Sequence, residues 1–327
     1  YIVPETELEL HAHCAADDAS SCPVSRVYDL PHLEESIPLQ RGDDLVLTHP
    51  DIPGKPATYD QSGALLTPAH IGCTIPSIFR DVQVGEPIWF DDGKMGGRIV
   101  QVEAHQIKVH LTHLHPEGDK LRSDKGINLP ESDLHLAALT AQDLEYLPFV
   151  VEHADVIELS FANTAADVDR LHEEVQKLTR TPPGLVLKIE TQSAFNHLPE
   201  LIFSAMHNPV CGIMIARGDL AVECGFERLA EVQEEILWLC EAAHIPVIWA
   251  TQVLESLAKS GLPSRAEITD AAMGHRAECV MLNKGPYVLD AVSTLDDIIQ
   301  RMQDHQSKKQ SMLRALHVAG VNHASLD

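Results

Sequence analysis

Two charged residues stand two apart in an otherwise apolar run, Leu185-Val-Leu-Lys-Ile-Glu190. On a strand that spacing points Lys188 and Glu190 to the same side. An ammonium at the end of a buried strand is costly unless it meets an anion, either a neighbouring carboxylate or a ligand. Further on, Cys211-Gly-Ile-Met-Ile-Ala216 runs into Arg217-Gly-Asp-Leu220, which places Asp219 at the end of a neighbouring strand. Two such carboxylates are either solvated or converge on one hard cation. Mg2+ suits the second case, because it takes one or two carboxylates and completes its shell with substrate oxygens and water. Gly218 lets the backbone approach a ligand, and amides at a helix start can hold a carboxylate or phosphate. Thr251 follows the apolar run Pro246-Val-Ile-Trp-Ala250 with its hydroxyl available.

These residues need a scaffold, and the second half of the chain supplies one by its rhythm. Helix signals begin at Thr140, a cap with Asp143 three residues on, and at Thr164, followed by Val168, Leu171, Val175 and Leu178 at helical spacing. Short apolar strands alternate with helices at Asp155–Phe161, Leu185–Glu190, Cys211–Ala216, Pro246–Ala250 and Cys279–Leu282. Further helices are expected through Leu229, Val232, Ile236 and Cys240, around Asp270–Met273, and through Val292, Leu295 and Ile299. Such strands imply a parallel sheet covered by helices. Polar residues gather at each strand's C-terminal end: Ser160, Lys188 with Glu190, Arg217 with Asp219, Thr251 with Gln252, and Asn283 with Lys284. In a (β/α) barrel that is the end where active sites are built.

The first half reads differently. Residues 1–36 are polar, proline-dotted and unplaced, whereas 37–133 carry alternating β runs at Asp44–Thr48, Pro87–Phe90, Gly97–Val102 and Gln106–Leu111. Asp91-Asp-Gly93 is a hairpin signal between two of them. We expect a small all-β unit there, and a partial barrel over 134–327.

Composition narrows the function. Among 327 residues, 49 acidic against 24 basic side chains leave a formal net charge of -25, which opposes binding to nucleic acid or an anionic membrane. No apolar run reaches a membrane span and no signal-peptide layout opens the chain. Seven cysteines without a Cys-x-x-Cys pair read as free thiols of a reducing, cytoplasmic setting. The histidine-dense segments at His11 and His13, and at His110, His113 and His115, lack partners at zinc-finger distance and read as surface.

Four blocks, in order, resemble consecutive signatures of the pyruvate kinase family. They are Lys188-Ile-Glu190, Gly212-Ile-Met-Ile-Ala-Arg-Gly-Asp-Leu220, Pro246-Val-Ile-Trp-Ala-Thr-Gln-Val-Leu-Glu-Ser256 and Ser264-Arg-Ala-Glu267. In the β region, Val84-Gly-Glu-Pro-Ile-Trp-Phe-Asp-Asp-Gly93 and Lys125-Gly-Ile-Asn-Leu-Pro130 are similar to the family's lid hairpin and to the lid's return into the barrel. The resemblance implies an α/β fold, a (β/α)8 TIM barrel of which strands four to eight lie here, with an inserted small all-β lid. It implies that Glu190 and Asp219 hold Mg2+ (or Mn2+), and that Lys188 faces the transferring phosphoryl group and the enolate oxygen. Gly218, Asp219 and Thr251 would hold the substrate carboxylate, Thr251 would help deliver a proton, and Ser160 and Asn128 would be nearby polar contacts. Phosphoenolpyruvate and ADP would give pyruvate and ATP, in a homodimer or homotetramer.

The match also departs from the family. The first three barrel strands, with the residues that organise K+ and the phosphate, find no counterpart, so we expect them from residues outside this sequence or from a companion chain. Asn283-Lys-Gly-Pro-Tyr287 stands where the family has Ser-Gly-Glu-Thr, and Leu220-Ala221 where it has Gly-Leu. The sequence ends soon after the last helix, so no regulatory C-terminal domain is expected. The altered loop motivates a lyase or aldolase acting on a related 2-oxo acid as an alternative. A binding or regulatory homologue without activity is another.

Overall fold

Helix caps set the frame of the second half. The Thr140 hydroxyl accepts the Asp143 amide while the Asp143 carboxylate accepts the Thr140 amide, so the two residues satisfy each other's backbone donors at the start of a helix. Thr164 with Asp167 and Ser264 with Glu267 repeat the arrangement. The computed structural model describes residues 7–9, 24–26 and 36–306. Most of the unplaced segment 1–36, with Cys14, Cys22, His11 and His13, lies outside the described residues.

The first pair of strands, β1 (Glu7–Glu9) and β2 (Val24–Arg26), is antiparallel. The β unit then follows with β3 (Ile37–Leu39), β4 (Asp44–Thr48), β5 (Thr58–Tyr59), β6 (Leu65–Thr67) and β7 (Ala69–Gly72). It continues through β8 (Pro87–Phe90), β9 (Met95–Glu103), β10 (Gln106–His113), β11 (Asp119–Leu121) and β12 (Ile127–Asn128). Its main sheet has six strands in the order β12-β8-β9-β10-β4-β7. Alternation places Ile107, Val109 and Leu111 of β10 inward, where they join Leu45, Leu47, Ile88, Phe90 and Ile99 in one buried cluster. Asp91, Asp92 and Gly93 all have positive φ (52°, 55° and 80°) and turn β8 back into β9, as the hairpin signal implied. The histidines of β10 diverge: His110 Nδ1 is 3.0 Å from Asp44 Oδ1, while the His113 ring stands against Trp89.

The second half alternates α1 (Ala141–His153), β13 (Val156–Leu159), α2 (Ala165–Leu178), β14 (Gly184–Ile189), α3 (Gln192–Asn196), α4 (Leu198–Ala205) and β15 (Cys211–Ala216). After these come α5 (Arg217–Cys224), α6 (Leu229–Ala243), β16 (Val247–Val253), α7 (Glu255–Ser260), α8 (Arg265–Met273), β17 (Cys279–Leu282) and α9 (Val288–Gln306). The helix expected around Asp270–Met273 starts at Arg265, where the Ser264 cap determines it. The five strands run parallel in chain order, β13-β14-β15-β16-β17. This is the strand–helix repeat of an α/β barrel, represented among the described residues by five of the eight strands expected for the whole barrel.

The two faces of this sheet differ. Leu185, Leu187 and Ile189 point outward into the large core formed with the helices, together with Ile213, Ile215, Val247 and Trp249. Val186, Met214 and Ala250 point inward and form a small cluster with the half-buried Ile248 and Met281. Period two puts Lys188 and Glu190 on that inner face with Val186. No helix among the described residues is long and apolar enough to cross a membrane.

Candidate active site at the strand ends

Lys188 Nζ lies 2.8 Å from Glu190 Oε1 and donates to Ser160 Oγ at 3.0 Å. Glu190 is 3% exposed, and its second oxygen accepts the Phe161 amide at 2.8 Å. Phe161, with φ 53°, is in the left-handed region at the end of the chain's exit from β13. A buried carboxylate is thus matched by one cation and one amide, which offsets much of its desolvation. The lysine side chain remains 24% exposed. Ser160, Lys188 and Glu190 therefore form one group.

Asp219 keeps other company. Asn128, on β12 of the β unit, donates through Nδ2 to Asp219 Oδ1 at 3.2 Å and to Glu223 Oε1 at 3.4 Å, so one amide bridges the two halves of the molecule. Burial pushes the Glu223 carboxyl up to about 7, against hydrogen bonds from Asn128 and the Gln192 amide, and the charge of Asp219 adds to the rise. The Asp91–Gly93 turn also reaches α5, where a Cβ on Gly93 would lie 2.9 Å from Val222. Burial first, then the charges of Asp219 and Asp91, raises Asp92.

The amide oxygen of Asn128 is buried with no hydrogen-bond partner. Asp219, hydrogen-bonded to the same Asn128 side chain, adds a carboxylate, and both are hard oxygen donors of the kind that Mg2+ takes. The hydrogen bonds of the described residues hold Glu190 to Lys188 and Phe161, and Asp219 to Asn128; none of these donors is shared by the two carboxylates.

Thr251 and Gly218 do meet. The Gly218 amide donates to Thr251 Oγ1 at 2.9 Å. The β16–β17 register breaks between Trp249 and Val253, and Thr251 and Gln252 take φ values of 64° and 56°. A β-branched residue in that region stores on the order of 1–3 kcal/mol of strain, and the strained turn accompanies a hydroxyl set against the first turn of α5. The Gly218 amide, expected to be free for a ligand, is therefore capped from the next strand.

Arg217 is an anchor of the scaffold. It is buried, its guanidinium sits 4.7 Å from the centroid of the Trp249 ring, its Nε donates to the Ala250 carbonyl at 2.8 Å, and it pairs with Asp270 on α8. The loop Asn283–Tyr287 folds against α7. The Tyr287 amide donates to the Ala258 carbonyl at 3.0 Å, and the Tyr287 ring covers Gly261.

Two cavities flank this region. One of about 510 Å³ is lined by Gln252, Glu255, Ser256, Lys259, Ser260, Ser264 and Glu267. The other, about 260 Å³, lies on the β unit between Asp91, Lys94, Lys120, Arg122 and Lys125. Burial would raise Asp91, but hydrogen bonds from Lys94 and Lys125 outweigh it and hold the carboxyl low. In a chain of net charge -25 this basic pocket stands out.

Among known families, the pyruvate kinase barrel domain matches residues 23–292. The chain belongs to the pyruvate kinase family. It is 32% identical to a pyruvate kinase of Thermococcus litoralis over 312 residues, which are 89% of this chain and 60% of that protein. Identity to a pyruvate kinase of Bacillus licheniformis is 29%, covering 84% of this chain and 45% of the relative. For pyruvate kinase 2 of Candida glabrata it is 35%, covering 67% and 43%. The chain thus spans roughly half the length of these relatives.

Membership in the pyruvate kinase family is what the ordered blocks implied. Sequence reasoning passed over Glu223, Asp92 and Asp270. Glu223 is one helical turn from Asp219, so the i, i+4 spacing on α5 was the available signal. Nothing local could reveal that Asn128 joins them.

Proposed function

We propose that this chain carries out the pyruvate kinase reaction, Mg2+-dependent phosphoryl transfer from phosphoenolpyruvate to ADP, giving pyruvate and ATP. The observation that carries the reading is the inner-face group of Lys188, Glu190 and Ser160 at the same sheet end as the Thr251–Gly218 pair. Mg2+ (or Mn2+), held by Glu190 and Asp219, would neutralise charge on the substrate's carboxylate and phosphoryl oxygens.

The residues of the chain divide the remaining work. The Lys188 ammonium faces the phosphoryl group in flight and then the enolate oxygen that takes the electron pair of the broken P–O bond. The amides of Gly218 and Asp219, with the Thr251 hydroxyl, receive the substrate carboxylate, which replaces the internal hydrogen bond between Thr251 and Gly218. Thr251 also stands on the route of the proton that turns the enolate into pyruvate. The β unit serves as a lid, held to the barrel through Asn128 and the Asp91–Gly93 turn, and it excludes water so that transfer to nucleotide wins over hydrolysis. The basic pocket at Lys94, Lys120, Arg122 and Lys125 supports a place for the nucleotide phosphates. Exposed Phe149, Phe203 and Val210 on and beside the outer helices are apolar surface that would suit a homodimer or homotetramer.

The test is pyruvate formation from phosphoenolpyruvate, followed through NADH and lactate dehydrogenase. Turnover should require ADP and a divalent cation, and should fall by at least about 10²–10³-fold in Lys188→Met, as for loss of a group that meets developing charge. Inactivity of the wild-type polypeptide with either cation, with or without K+, would reject the reading. The packed loop Asn283–Tyr287 favours a second one, lyase or aldol chemistry on a 2-oxo acid, which nucleotide-independent turnover of such acids would support.

A further inference from the structure

A metal-ligand cluster lies away from the strand ends. Asp169 and His172 are three apart on α2 and so share a face, and His207 comes from the turn after α4. Each offers one ligand atom, and the three atoms all lie within 4.8 Å of one another.

The surroundings look built for this. The Ser204 hydroxyl donates to Asp169 Oδ1 at 2.5 Å, orienting the carboxylate from α4. The backbone that carries His207 is fixed by bonds from the Met206 amide to Ile202, from the His207 amide to Ser204 and from the Asn208 amide to Ala205, at 3.0, 3.1 and 2.9 Å. The Asn208 side chain is itself buried and donates to the Pro183 carbonyl at 2.9 Å. Within this frame His172 Nε2 is buried and has no hydrogen-bond partner. An imidazole nitrogen left unpaired inside a protein is costly, and a cation would remove that cost.

We propose that Asp169, His172 and His207 form a site for a divalent transition-metal ion of the zinc type, which clamps α2 to the end of α4. Two imidazoles and one carboxylate are a donor set for Zn2+, with water in the fourth position, whereas Mg2+ prefers oxygen alone. Bonds of 2.0–2.1 Å place tetrahedral donors about 3.3 Å apart, which rotation of the exposed Asp169 and His207 side chains can reach. None of the site's three residues is among those placed at the strand ends, so the ion it would hold is distinct from the divalent ion proposed for the reaction. It acts on the outer helical layer.

The experiment is calorimetric titration of Zn2+, and separately of Mg2+, into the 327-residue chain stripped with EDTA. Parallel titrations use Asp169→Asn, His172→Gln, His207→Gln and, as a control on the β unit, His113→Gln. Expected is one Zn2+ site weakened more than about tenfold by each cluster variant, unchanged in His113→Gln, and not competed by Mg2+. His207 is exposed, so its variant should keep the circular dichroism and the melting temperature of the metal-free wild type. Co2+ in place of Zn2+ should give a tetrahedral visible band that His207→Gln abolishes. Zn2+ affinity that is equal in wild type and His207→Gln, or an effect as large in His113→Gln, would overturn the proposal.

Discussion

Glu223 offers a stability experiment whose size follows from its surroundings. Its carboxyl is raised from 4.5 to about 7, chiefly by burial, against hydrogen bonds from Asn128 and Gln192 and with the charge of Asp219 adding. The folded state therefore holds a proton that the unfolded chain releases near pH 4.5. Stability from this group is complete below that pH, declines as pH rises, and is lost above about 7. At about 1.4 kcal/mol per unit, a rise of about 2.5 units costs roughly 3 kcal/mol once the acid is ionised. Glu223→Gln keeps the acceptor for Asn128 and never ionises. Urea melts of both proteins in EDTA at pH 5, 6, 7 and 8 should show the variant gaining on wild type by about 2.5 kcal/mol between pH 5 and pH 8. Comparing the pair cancels the titration of other groups. A difference that does not change with pH, or a variant less stable at pH 8, would refute the reasoning.

Other substitutions test the scaffold of the same site. Thr251→Val removes the acceptor of the Gly218 amide without changing shape. It should cost about 1 kcal/mol in thermal melts and raise KM for phosphoenolpyruvate; an unchanged KM would remove Thr251 from the carboxylate site. Gly285→Ala would put a Cβ 2.1 Å from the Ala258 carbonyl oxygen. Melts should report a loss of about 1–3 kcal/mol from overpacking, and a neutral result would mean that the Asn283–Tyr287 loop does not dock on α7.

Local signals made the frame of this molecule readable. Thr140 with Asp143, and Thr164, announced two helices because a hydroxyl and a carboxylate three residues apart satisfy backbone donors without help from elsewhere. Apolar runs gave the five parallel strands, and period two put Lys188 and Glu190 on one face. Ser264 with Glu267 carried the same cap signal, so the true start of α8 was within reach, and so was the i, i+4 step from Asp219 to Glu223. What could not be read depends on contacts across long separations. Asn128 meets Asp219 91 residues away, Arg217 meets Asp270 53 residues away, and Thr251 caps an amide 33 residues back. Such pairs are set by tertiary packing, and neither propensity nor periodicity records them.

The proposed reaction requires Glu190 and Asp219 to hold one divalent ion beside Lys188. Electron paramagnetic resonance of Mn2+ with phosphoenolpyruvate tests this directly, since bound Mn2+ loses its free-ion signal. Expected is a Mn2+ site strengthened by phosphoenolpyruvate, weakened at least about tenfold by Glu190→Gln and by Asp219→Asn, and retained in His207→Gln. Mn2+ binding that ignores phosphoenolpyruvate and survives both carboxylate substitutions would contradict it.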